Sequence, residues 1–453
     1  MHHTNKHFIF YSFIDLLCMN ELGKRGPLSL DAELHLLEAI GIITSCNTSG
    51  YSNISDIEQE KEMQRLLVGE VVNALVSHIT SALSHPQLSF YVDSISDIVA
   101  GKIASLVSVA KNHSYKQHQS CVVFFEQAAS AVIQAINVLS SCENVRVKGC
   151  AYLHRLVSVL GSGSISTVSV GLCGLLEHAS CKDIEDIVGL LNQLLVAFEE
   201  KMIPTLEKFI PMVLDKVVQL NYLLEESISK YSSGGNLIAG DAYNIGDPVD
   251  VVEAPHVEND RCMLQKVYLV FLNHIIIHNC QSILYTSPTV AQYLENIFNN
   301  IMSSLQGGLG KISVSNSIIL RKNATIIMYH LYSTWGVDTA GGDQPNIVPP
   351  HIKSAYKSFL HDQYIPNALR LCVDNVTLDM KDASTYVFVA EVGALLLTMY
   401  QKNPTETISY LQNILPVIGM PVVKCQILFE ILMNTGITNV QFKDRFKKLI
   451  RDP

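Results

Sequence analysis

The sequence predicts an all-α chain built as a solenoid of helix pairs, and three observations carry that expectation. Apolar residues recur at helical spacing along most of the chain, no alternating strand pattern of useful length appears, and one stretch, 183–229, displays a complete repeat unit. Its first half sets Ile184, Ile187, Leu191, Leu194, Leu195 and Phe198 at steps of three and four. The second half repeats this with Ile203, Leu206, Phe209, Ile210, Val213, Leu214, Val217 and Leu224; Pro204 falls in the first turn, where its missing N–H costs little. Two amphipathic helices joined by a short polar turn cannot bury both stripes alone, so they need neighbours of the same kind.

Composition agrees. Of 453 residues, 48% are hydrophobic and only 16% charged, against roughly 25% charged in an average soluble protein, so much of each helix must be covered by another. Trp335 is the single tryptophan. A net charge of −10 argues against uniform, non-specific nucleic-acid binding, although a solenoid can carry different charge on its two faces. The 11 cysteines are scattered without a C-x-x-C pair, which predicts reduced, mostly buried thiols in a cytosolic or nuclear protein and no cysteine metal site. Asp15 interrupts the apolar run Phe8 to Cys18 and no small-residue cleavage site follows, so no signal peptide is expected. The uncharged window Leu156 to Leu176 is long enough to span a bilayer, but Gly161, Ser162, Gly163 and Ser164 break it, and no membrane insertion is expected.

In order, a turn at Gly23 to Pro27 precedes a helix capped by Ser29 and striped by Leu34, Leu37, Ile40 and Ile43. Its partner covers Ile57 to Leu83, and the next helices cover Ile95 to Val109, Val122 to Leu139, Val147 to Leu160 and Val168 to Leu176. The central unit follows. The segment 232–260 lapses into Gly, Asp, Pro and Ala with acids, which predicts a flexible acidic loop between an array at 1–231 and its continuation at 261–453. Periodicity resumes with Leu264, Val267, Tyr268 and Phe271, then Val290 to Leu305, Ile318 to Trp335, Ile352 to Val373, Ala383 to Tyr400, Thr405 to Leu415, Val422 to Met433 and Val440 to Ile450. The Gly-, Asp- and Pro-rich stretch Gly336 to Pro350 reads as a second loop.

Candidate chemistry is sparse. The run Gly307, Gly308, Leu309, Gly310, Lys311 has the look of a phosphate loop, but Leu305 stands where the first glycine belongs and Ile312 where Ser or Thr would hold magnesium, so it predicts a helix C-cap. His274 and His278 have the spacing of zinc ligands, yet lack the intervening glutamate, and are expected as packing histidines. The sequons at Asn47, Asn53, Asn112, Asn323 and Asn375 matter only in a secreted protein. Glu391, alone in an apolar helix, predicts a structural hydrogen bond. No nucleophile elbow, dinucleotide fingerprint or paired-carboxylate motif stands out, so neither an enzyme nor a cofactor is expected. A cationic tail, Lys443, Arg445, Lys447, Lys448 and Arg451, lies opposite Phe442, Phe446 and Leu449.

The order of landmarks resembles the C-terminal half of the exportin-T family, the tRNA nuclear export receptors of the importin-beta superfamily. The residues that carry the likeness are Leu36 to Gly41, Phe198 with Ile203 and Pro204, and Phe209 to Met212; then Tyr268 with Phe271 and Leu272, Trp335 with Gly336, and Phe359 with Leu360. Tyr364 to Pro366, Asp379, Asp382 with Ala383, Glu391, Tyr410 to Gln412, Leu415 with Pro416, and Phe442 with Phe446 continue it. The resemblance implies a stack of HEAT repeats, roughly seven to ten helix pairs of about 40–47 residues, that cradles tRNA and cooperates with Ran-GTP. It also implies nuclear pore proteins as partners and shuttling between nucleus and cytoplasm. The family's N-terminal half, where most Ran-binding repeats lie, has no counterpart in the chain, so a fragment is expected, with Ran contacted mainly through that other half.

On this reading the chain binds cargo by shape and phosphate charge. Candidate phosphate contacts are Lys201, Lys208 and Lys216 after Phe198, at steps of seven and eight, and Lys443, Lys447, Lys448 and Arg451 in the tail. They are interleaved with Glu200, Glu207, Asp215 and Asp444, so salt-bridged, solvated faces are the competing expectation. The competing function is a HEAT-repeat protein-binding scaffold or another karyopherin, which salt-sensitive binding to mature tRNA would separate from the first.

Overall fold

The computed structural model describes residues 29–45, 54–234, 254–308, 314–336, 348–373, 382–434 and 436–451. The described chain is helical, an α-solenoid of HEAT-type repeats, and it divides into two compact units, Met1–Ala179 and Ser180–Pro453. The expected turn at Gly23 to Pro27, the run Phe8 to Cys18, most of the acidic segment, and the sequons at Asn47, Asn53 and Asn375 lie outside the described residues.

In the first unit, α1 (Leu30–Ser45), α3 (Val92–Ala110) and α5 (Glu143–Leu160) pack side by side as one row. Helices α2 (Ile54–Leu83), α4 (Val122–Val138) and α6 (Ser164–Glu177) form the second row, and each helix also touches its chain neighbour across the rows. Alternating contact of this kind is what a repeat array requires. Val68, Val99, Ile103, Phe125, Val132 and Tyr152 are fully buried between the rows. Tyr152 keeps its ring in the core by donating its hydroxyl to the Phe125 carbonyl at 2.9 Å. Lys102 of α3 pairs with Glu33 of α1 at 2.8 Å. A short 3₁₀ turn at Gly161–Gly163 separates α5 from α6, where the glycines interrupt the uncharged window.

In the second unit, α7 (Cys181–Phe198), α9 (Ala254–Ile277), α13 (Val314–Trp335), α16 (Ala383–Lys402) and α19 (Asn439–Arg451) make one continuous row. The second row comprises α8 (Ile203–Gly234), the segments α10 (Ile283–Thr286), α11 (Pro288–Ala291) and α12 (Leu294–Gln306), α14 (Pro350–Ser358) with α15 (Ile365–Val373), α17 (Pro404–Val417) and α18 (Val422–Leu432). A reciprocal capping box starts α7: Asp183 N–H donates to the Ser180 hydroxyl at 3.3 Å and Ser180 N–H to the Asp183 carboxylate at 2.8 Å. Trp335 is buried between Tyr285 and Tyr356, with ring centroids 5.8 and 5.6 Å away.

Three boundaries differ from the expectation. Helix α9 begins at Ala254, inside the span 232–260 expected as loop, and α8 persists to Gly234; 235–253 lies outside the described residues. The helix expected from Val290 arrives as two pieces, Pro288–Ala291 and Leu294–Gln306, and a short helix Ile283–Thr286 precedes them, separated because Ser287 caps a new start and Pro288 cannot continue the previous one. The helix expected over Ile352 to Val373 widens into a π turn at Phe359–Tyr364, where Pro366 has no N–H to offer the Asp362 carbonyl.

Four segments, Glu58–Leu83, Gln119–Val138, Glu143–Glu177 and Ala383–Lys402, are long and apolar enough to cross a membrane by length and composition. In the fold they lie within the helix rows, and the last is 67% buried over its most apolar window.

Candidate nucleic-acid interface

The stripe that buries Leu206, Phe209, Ile210 and Val213 leaves the opposite side of α8 in solvent, and that side carries its charge. Lys208 is exposed, its ammonium 5.9 Å from the Phe209 ring centroid, and Lys216 is half-exposed one helical face further on. Lys201 is exposed but lies in the 3₁₀ turn Glu199–Met202 ahead of α8. That turn, with Glu199 at φ 46°, breaks the helical screw, so the seven-residue step from Lys201 to Lys208 does not set the two on one helix face.

The acids interleaved with these lysines have other partners. Glu207 accepts the Ser287 hydroxyl at 2.7 Å and Asp215 accepts the Tyr293 hydroxyl at 2.9 Å. Both bonds tie α8 to the following repeat, and the Asp215 carboxylate holds the Tyr293 phenol above its ordinary pKa. Among the described residues no ion pair involves Lys201 or Lys208.

Helix α19 opens on a capping box, with Gln441 N–H donating to the Thr438 hydroxyl at 3.2 Å and Thr438 N–H to the Gln441 side chain at 3.1 Å. Phe442, Phe446, Leu449 and Ile450 are buried against α16 and α18, which turns the basic residues outward. The tail cations then separate into two groups. Lys443 reaches Glu391 of α16 at 3.0 Å, and Lys447 pairs with Asp444 on its own helix at 2.8 Å, holding that carboxyl below the usual range. Arg445, Lys448 and Arg451 are exposed. The α8 cations thus belong to the second row and the tail cations to the first.

Of the remaining motifs, Gly307 adopts φ 117° and caps α12, with Gly308 N–H donating to the Ser303 carbonyl at 2.8 Å; Leu309 to Lys311 lie outside the described residues. His274 bonds through Nδ1 to the Val270 carbonyl at 2.9 Å and stacks on His278. Glu391 is the partner of Lys443. Sequence reasoning missed Ser287 and Tyr293 as the anchors of the α8 acids. A signal existed only for Ser287, which precedes Pro288 as a helix cap does; nothing in spacing announces a bond between residues 78 apart.

The sequence profile of the exportin-T family matches residues 20–227 and 258–452. Among curated relatives, exportin-T of Dictyostelium discoideum is 23% identical over 68% of this chain and 25% of its own length. Exportin-T of Pyricularia oryzae is 21% identical over 93% of this chain and 38% of its own, and that of Arabidopsis thaliana 21% identical over 81% and 33%. The chain therefore spans between a quarter and two-fifths of the length of these relatives.

Proposed function

The chain belongs to the exportin-T family, and on that premise we propose that it is the cargo-cradling part of a tRNA nuclear export receptor that cooperates with Ran-GTP. Folded tRNA presents A-form helices whose base edges are largely hidden, so a receptor gains most from cations spaced to meet backbone phosphates. The observation that carries the reading is at α8: Lys208 is exposed and, among the described residues, enters no ion pair, while the acids near it in sequence, Glu207 and Asp215, bind Ser287 and Tyr293. Lys201, Lys216, Lys448 and Arg451 are the further contacts proposed, with the second row of helices and the terminal helix α19 as the cargo-facing parts. Nuclear pore proteins as partners, and shuttling between nucleus and cytoplasm, belong to the same proposal.

The test is binding of mature tRNA to the chain as a function of salt, with and without Ran-GTP. Salt-sensitive binding that weakens in Lys201→Ala/Lys208→Ala supports the reading. Absence of any tRNA affinity, also when the chain is embedded in a receptor of full family length, would favour a protein-binding scaffold.

A further inference from the structure

Helix α9 of the first row closes on two histidines whose ring nitrogens packing leaves largely unbonded. The helix end itself is fixed: Asn279 takes the left-handed cap at φ 58°, and Cys280 N–H donates back to the Ile275 carbonyl at 2.9 Å. His274 lies in the last turn, and His278, whose N–H still donates to the His274 carbonyl at 3.1 Å, directly follows it. Both are half-buried beside the core positions Ile275 and Ile276. A spacing of four sets the two side chains on one face.

The rings are arranged as a pair of ligands. His274 Nδ1 lies 2.9 Å from the Val270 carbonyl, which only an N–H can approach, so Nδ1 carries the proton and the Nε2 lone pair is left free. Among the described residues, Nε2 of His274 and both ring nitrogens of His278 have no hydrogen-bond partner, and none of the three is sealed from solvent. The rings lie 24° from parallel with centroids 5.8 Å apart. Two imidazoles that hold one ion at about 2.0–2.1 Å bring their nitrogens to roughly 3.3 Å, which asks the unbonded His278 ring to swing inward by no more than about 1 Å. The surroundings favour a cation. The last carbonyls of α9 form the negative end of the helix dipole. The turn Glu199–Met202 abuts the same end, since Cys280 Sγ lies 3.4 Å from the Glu199 carbonyl, and its exposed Glu199 and Glu200 outweigh Lys201.

We propose that His274 and His278 chelate a divalent transition-metal ion of the zinc class at the end of α9. Imidazole nitrogens select ions such as Zn²⁺ and Cu²⁺ over Mg²⁺ and Ca²⁺, which take oxygen. The anchored Nδ1–H of His274 is the outer support that orients such a ligand. Among the described residues no third histidine, cysteine or carboxylate completes a cluster, so water or a donor from a bound partner fills the remaining positions. Ile275 stands where zinc hydrolases carry their glutamate base, so the ion braces the helix end and activates no water. Neither histidine is a proposed tRNA contact, and the site does not depend on that reading.

The test follows amide hydrogen exchange of the intact chain with and without Zn²⁺ alone. Zinc is expected to slow exchange over residues 270–280, a local readout that ions bound elsewhere on the chain do not imitate, and Mg²⁺ to leave it unchanged. His274→Ala and His278→Gln should each raise the zinc concentration needed for half of this protection roughly a hundredfold, the advantage of two linked ligands over one. His278→Gln removes no hydrogen bond of the fold, so its circular dichroism spectrum should match the parent's. His278→Cys, which keeps a zinc ligand at the same spacing, should retain the protection. Equal protection in the parent and His278→Gln, or none in the parent at about 0.1 mM free zinc, would overturn the proposal. A His278→Cys variant no better than His278→Gln would overturn it too.

Discussion

Lys443 on α19 reaches both carboxylate oxygens of Glu391 on α16 at 3.0 Å, across the junction between the last two helices of the first row. Both side chains are mostly covered, 26% and 19% exposed, so the pair fastens the terminal helix. Lys443→Ala should lower the stability of the second unit by about 1–3 kcal/mol, because it strips a charge-assisted bond and leaves the glutamate half-buried without its cation. Lys448→Ala, on the exposed face, should stay within about 0.5 kcal/mol. Urea unfolding of the two variants separates them; equal midpoints would show that the pair contributes nothing to docking.

Gly41 lies where α1 crosses α3, and a methyl group added there would stand 2.7 Å from the Val109 carbonyl oxygen. In an exposed helix, Gly→Ala is worth about 1 kcal/mol of added stability. Here the obstructing atom is backbone and cannot rotate away. Gly41→Ala should therefore destabilise by about 1–3 kcal/mol and raise amide exchange in α1 and α3. A rise in stability would mean the two helices pack further apart.

The Phe209 ring is fully buried within the repeat unit 183–229. Phe209→Ala should cost roughly 3–5 kcal/mol, and since repeats are stabilised by their neighbours, the damage should be read first as faster amide exchange in α7, α8 and α9. An effect below about 0.5 kcal/mol would mean that the ring faces solvent.

Helix periodicity was legible because each stripe is a local property: the stripe residues from Ile184 to Leu195 and from Leu206 to Val217 are buried as their spacing requires, while Phe198, Ile203 and Leu224 at the stripe ends are half-buried. Breaks were harder to read. Pro288 and Pro366 each reshape a helix, and Pro366 follows directly on a π turn whose Leu360 and Tyr364 are buried. The candidate site was legible only as a set of cations. Which of them stay open depends on long-range partners: Glu391 takes Lys443, whereas Lys208 is exposed and enters no ion pair among the described residues, and the acids near it in sequence bind Ser287 and Tyr293.

His113 is 3% exposed, bonded through Nδ1 to the Val109 carbonyl at 3.0 Å and lying 5.1 Å from the His118 ring. Burial, and then the neighbouring imidazole, pull its pKa down to about 4. The unfolded chain takes up this proton near pH 6.5, whereas the folded chain does so only near 4, so the contribution is present above about 6.5 and is lost as pH falls toward 4. The loss amounts to about 3 kcal/mol at most. Hydrogen exchange in α1 and α3 should accelerate over that interval, and His113→Leu should flatten the dependence. A parallel slope in the variant would assign the effect to carboxylates elsewhere.

The proposed RNA surface makes a graded prediction. Each lysine that meets a duplex phosphate releases about 0.9 counterion, so the slope of log affinity against log salt counts contacts. Lys201→Ala/Lys208→Ala, and separately Lys448→Ala/Arg451→Ala, should each flatten that slope by close to two units if both residues touch phosphate, without changing sequence preference. Lys443→Ala should leave the slope unchanged once stability is restored by lower temperature, because its ammonium is held on Glu391. Lys447→Ala should fall between, since breaking its pair frees Asp444 to repel the backbone. If the α8 pair alters the slope and the tail pair does not, tRNA lies along the second row of helices only. The reverse would place it across the end of the first row, and two unchanged slopes would remove all four cations from the interface.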